Sequence, residues 1–285
     1  MPDFQLGALT RPHMMVRATF AQTLRGIKAA GFEYIGLNQR QEVAPGRMLV
    51  PEDASPQRLR ELRQMLADAG LTPVMMFARR GGDIGPETVE SYYRDLEVCQ
   101  ALGITRLLMW GPSPYRKGLT VRRPRREWQE LTARFFAGME LLARAAEQVN
   151  VLVVLKPHMG LTAAAWELAD TLERIGSPAV RICYDAGNVH YYEGLEPEED
   201  IKEIAAQTVA LCVKDHRGPR GNDDFPTPGD GEIDHAAIFR TLADVGFSGP
   251  CLVELVKGST VEDVDRELER AARYLQGIVS ALLQV

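Results

Sequence analysis

Four apolar runs in the second half of the chain each end on ionisable residues. They are VLVVLKPH, carrying Lys156 and His158; VRICYDAGN, carrying Asp185 and Asn188; VALCVKDH, carrying Cys212, Lys214 and His216; and CLVELV, carrying Glu254. Burying a charge in such a run is costly unless it meets an opposite charge, a metal or a ligand, so these residues mark a site. Carboxylates, imidazoles and ammonium groups around one cavity suit proton transfer or metal-assisted chemistry on a small polar molecule. His190 and Arg217 follow close behind in the same segments, and Asn38 and Trp110 end earlier runs beside Arg40, Arg79 and Arg80, where they could hold substrate hydroxyl or carboxylate groups. A purely structural alternative pairs Asp185 and Glu254 with Lys156 or Lys214 in a buried network.

Distant strand ends meet only if the elements around them converge. The joints AAGF at Ala29, DAGL at Asp68, ALGI at Ala101 and DVGF at Asp244 each place Gly after a helical pattern and before an apolar run, which marks helix-to-strand junctions. Between them lie helical stripes: Phe20, Leu24 and Ile27; Leu59, Leu62, Met65, Leu66 and Ala69; Phe135, Met139 and Leu142; Ile238, Leu242 and Val245. The strands are FQLGAL, EYIGLN, LTPVMMF, TRLLMWG, VLVVLK, VRICYD, VALCVK and CLVELV. Continuous apolar runs suit parallel strands covered on both faces, and strand then helix about eight times over predicts an α/β protein, a single-domain (β/α)8 TIM barrel over residues 1–285. No GxGxxG follows the first strand to support a doubly wound sheet. In a parallel barrel the C-terminal strand ends share one mouth. If Asp185 and Glu254 point inward, alternation puts Lys156 with His158 on one face, and Cys212, Lys214 and His216 on another. The long connections Gln39–Ala54 and Gly111–Arg126 are candidate lids.

Composition narrows the class. With 285 residues, 45% hydrophobic and 25% charged, the chain reads as a folded globular protein. It has no apolar run approaching the roughly 18 residues of a membrane span, and its start lacks signal-peptide character, which predicts a cytoplasmic protein without a membrane partner. A net charge of -6 argues against nucleic acid as a partner. Arg116, Lys117, Arg122, Arg123, Arg125 and Arg126 crowd one segment, where a solvated face is favoured over an anion site or a subunit contact. Cys99, Cys183, Cys212 and Cys251 have no CxxC spacing and read as reduced core thiols.

YDAGN at Tyr184, VKDHRG at Val213, PGDGEIDHAAIFRTLADVGFSG at Pro228 and VEL at Val253 resemble the last third of the xylose isomerase-like TIM-barrel superfamily of sugar isomerases and epimerases. The resemblance implies an isomerase or epimerase acting on a sugar or other polyhydroxy carbonyl compound by proton transfer next to the carbonyl, through an enediolate. The alternatives are a lyase or dehydratase, a Schiff-base enzyme using Lys156, and a degenerate barrel serving as a binding or partner subunit. The superfamily's endonuclease branch is disfavoured by the acidic charge and by only five histidines, His13, His158, His190, His216 and His235. The implied partner is a sugar-like small molecule, with room for a homo-oligomer.

The resemblance also implies one divalent metal (Mn, Mg or Zn) held by Glu, Asp, His and Glu at the ends of strands five to eight. Asp185 and Glu254 match that pattern, whereas Lys156 and Cys212 replace the other two ligands. An ammonium cannot ligate and repels a divalent cation. Three readings follow. Lys156 replaces the metal as electrophile, with Glu254 as general base and Asp185 orienting Lys156. Or the metal moves outward, held by His158 and His216 with one or both of Asp185 and Glu254. Or catalysis is lost. In the catalytic readings His158 and His216 bind substrate or shuttle protons, and Asn188, His190, Lys214, Arg217, Trp110 and Asn38 complete the substrate contacts.

Overall fold

In the computed structural model, which describes residues 2–44, 46–116 and 119–284, all eight apolar runs become parallel strands. These are β1 (Asp3–Leu9), β2 (Tyr34–Asn38), β3 (Thr72–Phe77), β4 (Arg106–Met109), β5 (Leu152–Leu155), β6 (Val180–Tyr184), β7 (Thr208–Val213) and β8 (Ser248–Val253). They close into one barrel, with β1 bonded to both β2 and β8. The main helices follow the strands in turn: α1 (Phe20–Ala29), α2 (Pro56–Asp68), α3 (Val89–Leu102), α4 (Arg125–Val149), α5 (Ala165–Ile175), α6 (Ala186–Glu193), α7 (His235–Asp244) and α8 (Val261–Leu282).

The local signals act as expected. Thr19 and Gln22 form a capping box at the start of α1, Ser55 caps α2, and the glycines of the four joints all take the left-handed conformation. The helical stripes face the barrel, with Val245 the exception. It is 48% exposed because α7 stops at Asp244 and Val245 caps it. The last strand starts at Ser248 rather than Cys251, and Gly249 and Pro250 pair with Phe4 and Gln5. Pro250 is tolerated because β7 joins only from Cys251 onward, so proline lacks an N–H where β8 is bonded on one side.

Two apolar layers result. One lies between barrel and helices. The other fills the barrel itself, with Leu9, Met75, Phe77, Leu108, Val154, Cys183, Cys212 and Leu252 among its buried side chains. All four cysteines are buried and free. Among the described residues no helix is long and apolar enough to cross a membrane.

The two long connections differ in kind. In the first, Glu42–Ala44 and Arg47–Met48 pair as a small hairpin, and Leu49 and Val50 return to the core; Pro45 lies outside the described residues. In the second, Tyr115 bridges Arg122, Arg116 and Arg123 both grip Glu127, and Arg126 meets Glu130 at 2.8 Å. The basic segment is thus largely ion-paired, with Lys117 outside the described residues.

The PGDGEID segment is held by one buried carboxylate. Asp215 accepts the backbone N–H of His216, Gly229 and Gly231 at 2.9 Å each, and that of Ile233 at 3.2 Å. Asp234 then caps α7 through the N–H of Ala237. Replacing Asp215 by Ala strands several buried donors, each worth about 1–3 kcal/mol when unpaired. The expected outcome is a loss of at least about 3 kcal/mol in urea unfolding for Asp215→Ala, with a smaller loss for Asp215→Asn.

Candidate active site

Lys156, Asp185, Lys214 and Glu254 each occupy the first position past the last ladder residue of β5, β6, β7 and β8. Their side chains therefore start at one height around half of the barrel mouth. The backbone stays anchored there, since the Lys156 N–H bonds Met109 O at 2.9 Å and the Glu254 N–H bonds Val213 O at 2.8 Å. The Lys156 Nζ lies 2.7 and 3.0 Å from the two Glu254 oxygens and 2.9 Å from Asp185 Oδ2. Lys214 Nζ stands 3.1 Å from Asp185 Oδ2 and 3.5 Å from Glu254 Oε2. All four side chains are buried.

Local structure fixes each partner. The other Asp185 oxygen accepts the Asn188 N–H at 2.9 Å as the cap of α6, and Asn188 Nδ2 donates to Pro157 O at 2.6 Å, tying α6 to the exit of β5. Gly187 leaves space for Lys214, because a Cβ there would fall 2.6 Å from Lys214 Cγ. Aromatic rings complete the surround: Phe77 lies 5.6 Å from the Lys156 ammonium and Phe225 lies 5.5 Å from that of Lys214.

A cavity of about 220 Å³ opens onto this cluster, with Lys156, Lys214 and Glu254 in its wall. Arg11, two residues beyond the end of β1, also lines it and reaches Glu254 Oε1 at 3.3 Å. Its place after a strand end was a usable signal. Tyr191 and Tyr192 from α6 and Asp223 and Phe225 from the loop after β7 also line the cavity, and no spacing in the sequence announced them.

His158 lines the cavity as well. Its ring stacks on Trp110 at 5.4 Å and against Tyr192, and its Nε2 lies 3.1 Å from the Tyr192 hydroxyl. Burial, reinforced by Lys156 and Lys214, pushes this imidazole down to about 3, so it is neutral at neutral pH.

His216 goes elsewhere. Its Nε2 donates to Asn222 O at 2.6 Å and its Nδ1 meets His190 Nδ1 at 2.8 Å, so both ring nitrogens are engaged away from the carboxylates. Side-chain alternation stops applying past Val213, where the amides gathered on Asp215 turn the chain. Arg217 is bound to Asp224 at 3.4 Å and to Asp230 O. His190, His216 and Arg217 therefore stand beside the cavity rather than in its lining. Asn38 and Trp110 line a neighbouring crevice of about 120 Å³. The larger depression of about 660 Å³, between the Met14–Thr19 and Arg40–Val43 segments, contains none of the strand-end groups.

Burial alone would lower the Lys156 ammonium, but Asp185 and Glu254 outweigh it and hold it well above the ordinary lysine range. Burial raises both carboxyls in turn. Asp185 stays raised, whereas Lys156, Lys214 and Arg11 bring Glu254 well below its usual range. Burial, then Cys183 with its Sγ 3.6 Å away, pushes the Cys212 thiol well up, so it is neutral.

Among the described residues, one group offers donors close enough for a metal: Asp185, Cys212 and Glu254, with ligand atoms within 4.8 Å of one another. The fit fails on charge and occupancy. Lys156 already bridges the two carboxylates, and neither His158 nor His216 belongs to the group. A divalent ion placed there would face two ammonium groups at close range.

The model of the xylose isomerase-like TIM barrel family matches residues 24–278. The chain belongs to this family. An inosose dehydratase of Geobacillus kaustophilus is 26% identical over 203 residues, covering 65% of this chain and 63% of that enzyme. The chain spans 54–63% of the length of the curated inosose dehydratases it matches. Among solved structures, the IolI protein with a bound zinc atom superimposes with a TM-score of 0.74 at 17% identity, over 97% of this chain and 98% of that one. A D-tagatose 3-epimerase-like protein gives 0.73 at 15% identity, over 98% and 99%. These two likenesses show the family fold.

Within that family frame, His158 supplies a pH signature. Its folded-state value near 3 lies below the roughly 6.5 of an unfolded imidazole, so between those values the unfolded chain binds a proton that the folded chain refuses. Stability conferred by the neutral ring is complete above about pH 6.5 and is lost as pH falls towards 3, by up to about 1.4 kcal/mol per pH unit. Urea unfolding of the wild type and His158→Gln across this range should give a shallower pH slope for the variant. Equal slopes would show that His158 is not buried in its neutral form.

Proposed function

We propose that this protein is an isomerase or epimerase of a small polyhydroxy carbonyl compound, working by proton transfer at the carbon next to the carbonyl, with the Lys156 ammonium as electrophile. The observation that carries this reading is the placement of Lys156 Nζ between Asp185 and Glu254 in the wall of a cavity. An ammonium held there, with Lys214 beside it, stabilises negative charge developing on a carbonyl oxygen in a water-poor site.

Glu254 is the carboxylate that both lines the cavity and adjoins the lysines. It takes the proton from the carbon, the C–H electron pair moves to the carbonyl oxygen, and the enediolate faces the two ammonium groups. Return of the proton to the former carbonyl carbon, with the hydroxyl proton passing from the one oxygen to the other, completes isomerisation; delivery of a proton to the opposite face of the first carbon by a group other than Glu254 completes epimerisation. Three cations hold Glu254 weakly basic in the free protein. Its basicity recovers as Lys156 turns its donors to the substrate oxygen. Asp185, fixed by the α6 cap, keeps Lys156 charged and aimed, and neutral His158 with the Tyr192 hydroxyl serves substrate hydroxyls. A permanently charged Lys156 is a poor nucleophile, which favours this role over a Schiff base.

A second reading rests on the relatives named inosose dehydratase. The same enediolate that expels a hydroxyl from the next carbon yields elimination of water. In D2O, NMR of a panel of ketoses and inososes distinguishes the two: deuterium at the carbon next to the carbonyl with recovered or epimeric sugar marks the first, and loss of water marks the second. Glu254→Gln and Lys156→Met should each slow the exchange by roughly 10²- to 10⁴-fold. No exchange with any member of the panel sinks the reaction class. A separate check is chelation: protein dialysed against EDTA should keep its full rate, and a stoichiometric metal whose return restores lost activity would overturn the lysine-centred reading.

A further inference from the structure

We infer that the substrate is an anion whose charged end, a carboxylate or a phosphate ester, sits in the crevice between the ends of β2, β3 and β4. This rests on the reaction proposed above for the neighbouring cavity and adds the substrate's charge and its orientation. The crevice of about 120 Å³ is lined by Arg40, Arg79, Arg80, Asn38 and Trp110 and by no carboxylate. Its far wall, Trp110, is the same ring on which His158 stacks, and His158 lines the catalytic cavity. One small molecule crossing that shared wall places its carbonyl at Lys156 and its other end among the guanidinium groups.

The charge distribution favours an anion. The chain carries a net charge of -6, yet six cations line the two adjoining cavities: Arg11, Lys156, Lys214, Arg40, Arg79 and Arg80. The carboxylates set against them are Asp185 and Glu254, both committed to the lysines, and Asp223, exposed at the rim. Neither Arg40 nor Arg79 forms an ion pair among the described residues. Arg40 Nη2 donates to Arg79 O at 2.7 Å, and Arg79 Nη2 donates to Gln39 Oε1 and Val50 O, both at 2.7 Å. These bonds to neutral acceptors hold the two guanidinium groups in place; the nearest buried carboxylate, Asp95, is itself occupied by the Arg79 backbone N–H at 2.8 Å and by Gln39 Nε2 at 2.7 Å. Arg80 reaches Asp83, at 3.5 Å on the solvent side. Planar guanidinium groups match carboxylate and phosphate oxygens, and a volume of about 120 Å³ suits one such group rather than a second sugar.

Calorimetric titration at low salt with D-gluconate, inorganic phosphate and neutral D-glucitol tests this without requiring turnover. Gluconate, phosphate or both should bind the wild type, more weakly as salt is added, while glucitol does not. Gluconate alone would identify a carboxylate end, and phosphate alone a phosphate ester. In Arg40→Ala/Arg80→Ala, both positions being exposed, anion affinity should drop at least roughly tenfold while the melting temperature holds. Glucitol binding as tightly as gluconate, no anion binding, or undiminished binding by the double variant would each overturn the inference. Absence of carbon-bound deuterium exchange would instead remove the reaction and leave the binding result standing.

Discussion

The ammonium of Lys156 between Asp185 and Glu254 is the interaction on which the rest of the site depends. Two fully buried carboxylates on neighbouring parts of one mouth repel strongly in a medium that cannot screen them, and neither could stay ionised alone. Lys156 neutralises that repulsion directly, and Lys214 and Arg11 add to it. The apolar cluster of Leu108, Val154, Cys183, Cys212 and Leu252 packs within the barrel, and the buried charges interact at short range in a low-dielectric setting. Removing the ammonium alone would leave buried like charges, a loss on the order of 3–5 kcal/mol.

A lysine in the proposed role of a metal changes what the surroundings must do. A divalent ion would impose coordination geometry on two substrate oxygens at once; an ammonium supplies charge and three donors with no fixed geometry. Orientation must then come from the walls. Here Asn188 is locked to Pro157, His158 is wedged between Trp110 and Tyr192, and Arg11 stands over Glu254. Cys212, where the family pattern expects histidine, contributes a small neutral thiol to the floor, which suits a site whose positive charge is already covalently attached to the protein.

The fold was legible because its signals are local. Apolar runs, helical stripes and glycine joints each depend on a few consecutive residues, and a barrel adds them in order. Lys156, Asp185, Lys214 and Glu254 were legible for the same reason, as each sits one residue past a ladder. His216 was not, because its direction is set by Asp215 gathering amides from residues up to eighteen positions away. Tyr191, Tyr192 and Phe225 reach the cavity from a helix face and a loop, where no period links them to the strands. Pro250 concealed the start of β8 because its tolerance depends on when β7 joins, a fact of pairing rather than of sequence.

The mouth divides into two halves with different chemistry. The ends of β5 to β8 carry alternating positive and negative groups that neutralise one another and leave a reactive ammonium, whereas the ends of β2 to β4 carry guanidinium groups tied to carbonyl and amide oxygens. The first arrangement is tuned for charge that appears during a reaction, since its internal pairs can be exchanged for a developing oxyanion. The second suits charge that is present before the reaction, since the Arg40 and Arg79 guanidinium groups are held by neutral oxygens and Arg80 pairs, among the described residues, only with exposed Asp83. On a chain whose overall charge is negative, such a local reversal would focus the field at the mouth and draw the proposed anion towards it. Trp110 and His158, stacked where the halves meet, set an apolar, uncharged surface between the two groups of charges, which in the proposed orientation faces the middle of the substrate.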